Sequence, residues 1–310
     1  MHKDVLRLAA LLACVALATS RFGLIGHELV GHGGAALAVG ARIDRVQLFW
    51  FAGGWIRYHL TEPSQAAALT IAMAGIAVEL IVGVTLWLAV RRTTLGGRIT
   101  RGIGAALVVH ASWYLATGAW HGFGDGLVLY RMLGAGRAPV AIAAGLVTCG
   151  AAFLGAREVL GALAKTIHGS RRARVIGTAI ALVLAAGFHA GLTTGELALR
   201  RDPTYAETMQ PERERVIAQE LEQWRSEQAA RGVEVSPEAQ RDEQTHLAKV
   251  HRTVPFLWIL AIATALAGLA GARRAKPGSE TKISSRLLVL AAAIAIGAVW
   301  LVITIDGLVM

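Results

Sequence analysis

The stretch that decides the fold is LATSRFGLIGHELVGHGGAALAVG, residues 17–40, where His27, Glu28 and His32 interrupt an apolar run. A helix that spans a membrane needs about 20 predominantly apolar residues. Ionisable groups inside such a helix are costly, and they mark functional sites by default. These three residues are therefore candidates for chemistry within a membrane helix.

The composition of the whole chain also indicates a membrane protein. Of 310 residues, 55% are hydrophobic and 17% are charged, and the mean hydropathy is +0.51. Soluble domains carry about 25% charged residues, so a water-soluble protein is excluded. The 35 glycines lie in apolar runs without a period of three, which excludes collagen-like repeats. The net charge of +10 comes from short patches between apolar runs, which indicates membrane orientation and no nucleic-acid partner.

Seven apolar stretches are long enough to be spans, and they lie at about 5–40, 67–90, 102–134, 138–156, 175–195, 254–272 and 287–308. Basic residues precede the first span and fill the loops after the second, fourth and sixth, which share one side if the spans alternate. The positive-inside rule then predicts a cytoplasmic N-terminus and an outside C-terminus. We expect an all-α polytopic membrane protein with about seven transmembrane helices, in a bacterial inner (plasma) membrane.

Two segments differ from the spans. Residues 42–60 predict a short β-hairpin after the first helix, because apolar and polar residues alternate and Gly53-Gly54 offers a two-residue turn. The polar insert 196–253 has apolar residues at helical spacing, which predicts a helical hairpin outside the membrane. Such a hairpin would lie over the membrane surface or the mouth of the protein; a solvated connector is the other interpretation.

Two histidines and a glutamate on one apolar helix indicate a zinc hydrolase. In the HExxH arrangement the histidines bind the metal, and the glutamate removes a proton from metal-bound water. Here His27 and His32 are one residue further apart, about 140° around a regular helix. A π-type turn would absorb the extra residue, and Gly31 makes the backbone permissive. Alternatively, Glu28 and His32 form the ligand pair, or the site holds no metal.

A third ligand is expected from another span, and Asp125 is the best candidate. His27 and Asp125 lie equally far beyond Val5 and Ile103, near the starts of their spans. At about 1.5 Å per residue both lie roughly 33 Å from the inner face. Parallel neighbouring helices would bring them level. The other interpretation of Asp125 is a helix-breaking turn at the outer surface.

Together these motifs resemble the site-2 protease family of intramembrane zinc metalloproteases. That family carries HExxH, AGPxxN and an NPDG-like motif on three successive helices, with a β-hairpin after the first. This chain has HELVGH at 27–32, AGIAVE at 74–79 and FGDG at 123–126. The resemblance covers about residues 5–135. It implies His27, His32 and Asp125 as zinc ligands, and Glu28 as general base.

The chain departs from the family pattern in each motif. The first is one residue longer, Ile76 and Glu79 stand where the family has proline and asparagine, and only Asp125-Gly126 remains of the third. Glu79 should be protonated, paired or near the metal, and His110 and His121 flank the active stretch of the third span. These three are expected as possible neighbours of the ligands.

The resemblance also implies how the chain is divided. We expect a metalloprotease-like three-helix core at 1–135, accessory transmembrane helices at 136–195, an extracytoplasmic hairpin at 196–253 and C-terminal transmembrane helices at 254–310. A substrate would pair with the 42–60 hairpin, guided by the following residues: Phe49, Gly53, Gly54 and Trp55.

The expected function is zinc-dependent peptide-bond hydrolysis within the membrane or at its interface. The expected partners are a membrane-protein or peptide substrate and the lipid bilayer. Two other readings stay open at this point. One is a non-catalytic metalloprotease-like binding protein, and the other is a metal-dependent membrane hydrolase that acts on a lipid or small molecule.

Overall fold

The computed structural model describes residues 2–62, 64–91, 93–251, 256–274 and 282–309, and most of them are helical. The helices are α1 (His2–Ile25), a π-helix (Gly26–Gly33), α2 (Gly34–Ala38), α3 (Gln65–Ala89), α4 (Leu95–His121), α5 (Gly126–Leu133), α6 (Arg137–Leu163), α7 (Arg171–Arg200), α8 (Pro203–Met209), α9 (Glu212–Ala230), α10 (Pro237–Val250), α11 (Phe256–Arg274) and α12 (Ser285–Val309). Strands β1 (Arg42–Leu48) and β2 (Gly54–His59) form an antiparallel hairpin. The expected helical chain with a β-hairpin after the first span is confirmed.

In the part of the chain that the structure describes, five segments are long and apolar enough to cross a membrane: His2–Ala38, Gln65–Ala89, Gly126–Thr166, Arg171–Arg200 and Ser285–Leu308. The expected count of about seven is not confirmed. Helix α4 is 27 residues long but is not among the five, and its first turns contain Arg98 and Arg101. Within the described part of α11, Trp258–Gly268 is a shorter apolar stretch.

Helix α3 packs against both the π-helix and α4, and glycines allow a close approach on both sides. A Cβ on Gly31 would lie 2.5 Å from the Cα of Gly75, and a Cβ on Gly83 would lie 2.9 Å from the carbonyl oxygen of Gly104. Small residues at helix contacts allow such packing in membranes. The π-helix, α3 and α4 therefore form the framework that carries the candidate site.

The hairpin differs from its prediction at the turn. Its register runs from Arg42 opposite His59 to Leu48 opposite Gly54. The predicted two-residue turn at Gly53-Gly54 is wrong, because Gly54 is already the first residue of β2 and residues 49–53 form the connection. We call residues 49–53 the hairpin loop. Contacts with remote helices, described below, stabilise this longer loop.

The polar insert 196–253 contains the expected pair of helices, α9 and α10, which pack against each other. The short helix α8 before them was not predicted. The insert is bonded to the chain after α4: the Glu212 N–H donates to the Gly122 carbonyl at 2.8 Å, and the Gly124 N–H donates to the Thr208 carbonyl at 3.0 Å. It therefore helps to hold the turn that leads to Asp125.

Candidate metal centre

The π-helix brings the two histidines of the first span together. It covers Gly26–Gly33, so the predicted π-type turn is present where the longer spacing required it. The imidazole rings of His27 and His32 lie edge to face with their centroids 4.7 Å apart. Both residues are buried, at 6% exposure each. The wider turn of the π-helix therefore places both histidines on one side of the helix. In a regular α-helix they would point about 140° apart.

Asp125 lies just after the end of α4, and its carboxylate faces the two histidine rings. Gly122 has φ +71° at the end of that helix, and Gly124 has φ +51°, conformations that favour glycine. The predicted span 102–134 is therefore broken here, and α5 begins after Asp125. The Asp125 Oδ2 atom lies 3.0 Å from Nε2 of His27 and 3.2 Å from Nε2 of His32. His27 and Asp125, which were expected to lie level, are therefore in contact.

The hydrogen bonds of His32 leave one ring nitrogen for a metal. Its Nδ1 lies 2.6 Å from the carbonyl oxygen of Ile71, so Nδ1 carries a proton and donates. Its Nε2 is buried and faces the Asp125 carboxylate, 3.2 Å from Oδ2. A metal-binding histidine typically donates its other ring N–H to a carbonyl or carboxylate in this way. The Nε2 atom, which points at a second ligand group, therefore fits a metal ligand.

The three ligand atoms form a possible metal-binding triad. One atom each from His27, His32 and Asp125 lies within 4.8 Å of the others. Two imidazoles and a carboxylate suit zinc with an open fourth position, and imidazole also suits other divalent transition metals. The cluster found among the described residues does not include Glu28.

Gly75 of the AGIAVE motif makes room for the triad. A Cβ at this position would lie 2.7 Å from Nε2 of His27 and 2.7 Å from Nε2 of His32. Contacts this close are essentially never made by real Cβ atoms. A residue without a side chain is therefore required where α3 passes the two histidines.

Glu28 is buried beside the hairpin. It follows His27 on the π-helix and is 6% exposed. A Cβ on Gly54 would lie 3.3 Å from the Cγ of Glu28, so the first residue of β2 packs against this side chain. The side chain of Glu28, next to His27 in the chain, therefore contacts the hairpin at Gly54.

Glu79 is the second buried carboxylate near the histidines. Its Oε2 lies 2.8 Å from Nδ1 of His110, and its Oε1 lies 3.8 Å from Nδ1 of His27. The expectation that Glu79 would be paired or near the triad is met by this geometry. His121 ends α4 and is not part of the ligand cluster found among the described residues.

The hairpin loop is held by charged residues that lie far from it in the sequence, and the sequence did not predict these contacts. Glu196 of α7 accepts the backbone N–H groups of Trp50, Phe51 and Ala52 at 2.7, 2.6 and 3.0 Å. Arg21 of α1 is 2% exposed and donates to the carbonyl oxygens of Phe49 at 2.7 Å and Phe51 at 3.0 Å.

A second carboxylate holds β1 from the last helix. Asp306 of α12 accepts the Gln47 side-chain amide at 2.7 Å and the Leu48 N–H at 2.9 Å. Arg200 joins the two carboxylates, 2.9 Å from Glu196 and 3.2 Å from Asp306. We call Arg21, Glu196, Arg200 and Asp306 the hairpin clamp. The only sequence signal for the clamp was the presence of charged groups in or beside apolar helices.

The expected substrate-guiding residues lie on the inner side of the hairpin. Phe49 is fully buried and Trp55 is 7% exposed, and both pack against Tyr205 and Leu197. A Cβ on Gly53 would lie 3.0 Å from the Tyr205 hydroxyl. Burial raises the pKa of the Tyr205 phenol above its ordinary value, so this hydroxyl stays protonated. A role of these residues toward a substrate stays a prediction.

A cavity of about 860 Å³ adjoins the site. Its polar end is lined by Glu28, Glu79 and His110, and its other end is lined by apolar residues that include Leu11 and Leu163. The cavity is therefore amphipathic along its length, with the candidate metal centre at its polar end.

No protein-family model matches this chain, and neither a curated protein nor a solved structure matches it. The chemistry of the site is therefore inferred from its own residues.

Proposed function

We propose that this protein is a membrane-embedded zinc hydrolase that cleaves a peptide bond, and that it is a divergent relative of the site-2 protease family. The observation that carries the proposal is the convergence of His27, His32 and Asp125 through a π-helix and a glycine turn. Two imidazoles and a carboxylate with an open position are typical ligands of catalytic zinc. Glu28 lies beside them, where a general base is needed.

Bound zinc would act as a Lewis acid and lower the pKa of a bound water. The Glu28 carboxylate would accept a proton from the attacking water and pass it to the leaving amine. The Ile71 carbonyl orients the ring of His32, and the Nδ1 atom of His27 lies 3.8 Å from Oε1 of Glu79. The burial of Glu28 separates this proton transfer from bulk water.

The hairpin offers a way to present an extended substrate. Among the described residues the sheet has two strands, so β2 has an outer edge without a strand partner. An added strand can bind such an edge through main-chain hydrogen bonds. In lipid, a substrate backbone stays helical unless its polar groups find other partners. We propose that pairing with β2 supplies those partners beside Glu28.

The apolar lining of the cavity favours lipid hydrolysis as a second candidate function. From Leu11 to His27 the cavity follows α1 for about 24 Å, at about 1.5 Å per residue. Its lining is mostly apolar, with Glu28, Glu79 and His110 at one end. This arrangement suits an acyl chain with a polar headgroup.

The orientation expected from the loop charges is also part of the proposal. We propose an inner-membrane protein with a cytoplasmic N-terminus, an outside C-terminus and the insert 196–253 on the outside. The candidate metal centre would then open toward the outer face.

The proposal is tested by measuring zinc content and turnover in the same preparations. Purified protein in liposomes is given a labelled apolar peptide with one membrane-spanning segment or, separately, a membrane lipid extract. We expect Glu28→Gln to keep zinc and lose about 10²–10⁴ in peptide turnover, the usual effect of a lost general base. We expect His32→Ala to lose zinc. The control is His246→Ala, an exposed histidine of α10, which should change neither quantity.

Each alternative has a distinct outcome. Turnover of lipid without turnover of peptide would replace the proposal with the lipid hydrolase. Stoichiometric zinc without turnover of either substrate would favour a non-catalytic binding protein. Full peptide turnover in Glu28→Gln would remove Glu28 from the mechanism.

A further inference from the structure

A second cavity lies at the opposite end of the helical core from the hairpin loop. It has a volume of about 680 Å³ and lies between the C-terminal end of α3, the first turns of α4, the last turns of α6 and Gly271 of α11. It shares no lining residue with the cavity at the candidate metal centre. It is therefore a separate feature of the fold.

The lining of this cavity is strongly basic. Its cationic side chains are Arg98, Arg101, Arg157 and Lys165, and its acidic side chain is Glu158. The cations thus outnumber the carboxylates by three among the lining residues. We call it the basic cavity.

One of these cations is already fully engaged. The Arg101 guanidinium lies 2.7 Å from Oε1 of Glu158 and donates to its Oε2 at 3.2 Å. It also donates to the carbonyl oxygens of Trp87 and Val90 at the end of α3. The Arg101–Glu158 pair therefore holds α3, α4 and α6 together, and it adds no net charge to the basic cavity.

The surplus positive charge lies on side chains that the fold half-buries. Arg157 and Lys165 are of intermediate exposure, and neither forms an ion pair within the described ranges. Arg98 also lines this wall, and it has a partner of its own. Withdrawing cations from water without an anion is costly. The arrangement is therefore complementary to an anionic group.

The surroundings of the basic cavity define which anion fits. Leu88 and Leu154 line it and are 72% and 52% exposed, so an apolar surface adjoins the charges. Both leucines lie on segments that are apolar enough to cross a membrane. The ends of such segments meet the headgroup region of a bilayer, where basic pockets between helices bind anionic lipid headgroups.

We propose that the basic cavity binds the phosphate group of an anionic phospholipid, with an acyl chain against Leu88 and Leu154. The cavity volume lies in the range of small-molecule sites, about 300–1,000 Å³. This ligand satisfies the surplus cations and the exposed leucines together. The proposal does not depend on the metal centre, since the two cavities have no residue in common.

The test compares two double variants with equal loss of charge. The first variant, Arg157→Gln with Lys165→Gln, removes two positive charges from the basic cavity. Arg171→Gln with Arg172→Gln removes two exposed cations from the start of α7, one short loop after α6. Each protein is placed in phosphatidylcholine nanodiscs with a small fraction of phosphatidylglycerol, and the retained lipid is measured by native mass spectrometry.

We expect phosphatidylglycerol to be enriched on the wild-type protein and on the Arg171/Arg172 variant. Its enrichment on the Arg157/Lys165 variant should fall at least about tenfold, because each cation near a lipid headgroup contributes substantially to binding. The charge-preserving pair Arg157→Lys with Lys165→Arg should retain the lipid, which separates charge from fold.

Three results would overturn the proposal. The first is no preference of the wild-type protein for phosphatidylglycerol over phosphatidylcholine. The second is an equal loss in both double variants, which would show general surface charge. The third is full displacement by inorganic phosphate at equal concentration, which would assign the cavity to a free phosphate ion.

Discussion

Replacing Gly75 with alanine would test the ligand geometry without touching a ligand. A Cβ at this position would lie 2.7 Å from Nε2 of both His27 and His32, whereas ordinary van der Waals contact begins at 3.4 Å. The methyl group would therefore displace each ring, or α3 itself, by about 0.7 Å, since overlap at that range is strongly repulsive.

The displacement is large compared with what a metal site tolerates. Metal–ligand distances in proteins stay within about 0.2 Å of their preferred values. We therefore expect Gly75→Ala to lose most of its zinc and its peptide turnover. Alanine in place of glycine favours a helix by about 1 kcal/mol, so α3 itself should not unfold.

The assay is metal analysis by mass spectrometry together with circular dichroism on the same sample. The matched control is Gly191→Ala in α7, where an added Cβ meets no heavy atom within 4 Å. The control should keep zinc and turnover. Wild-type zinc content in Gly75→Ala, with the helical spectrum unchanged, would refute the positions of His27 and His32 described above.

Further predictions concern the clamp, Glu79 and orientation. Glu196→Gln leaves one acceptor oxygen for three loop N–H groups. The free energy of unfolding, measured by thermal denaturation, should therefore fall by about 2–4 kcal/mol. The exposed control Glu234→Gln should show no measurable change. Glu79→Gln should weaken zinc binding about tenfold by titration, as for other partners of metal ligands; unchanged affinity would separate Glu79 from the site. Cysteine labelling of intact cells should modify position 226 and spare position 94, and the reverse would invert the proposed topology.

The parts of the site that the sequence predicts are those set by local geometry. The spacing of His27 and His32 allows few ways to bring two rings to one side, and the π-helix is one of them. The depth of Asp125 follows from the constant rise of a helix, so its level could be counted along the chain. Gly122 and Gly124, which precede Asp125, form the turn. These features depend on local helix geometry and not on contacts between residues that are distant in the sequence.

The hairpin loop shows what the sequence does not reveal. Gly53-Gly54 matches a two-residue turn by local rules, but the observed loop is longer because Glu196 and Arg21 bind its backbone. These partners lie far away in the sequence, and loop conformations fixed by such contacts have no local signature. The expected count of about seven spans is not confirmed among the described residues. Helix α4 has two arginines in its first turns and is not one of the five more apolar segments.

The clamp changes how the candidate site relates to the rest of the chain. The triad comes from the π-helix and the turn after α4, yet the hairpin beside Glu28 is fixed by Glu196 of α7 and Asp306 of α12. Burying the charged groups of Arg21, Glu196 and Asp306 is costly unless they are paired and hydrogen-bonded, and here they bond to the loop and one strand of the hairpin. Helices that served only as membrane anchors would not need these buried charged groups. Helices α7 and α12 therefore also hold the hairpin beside the candidate metal centre.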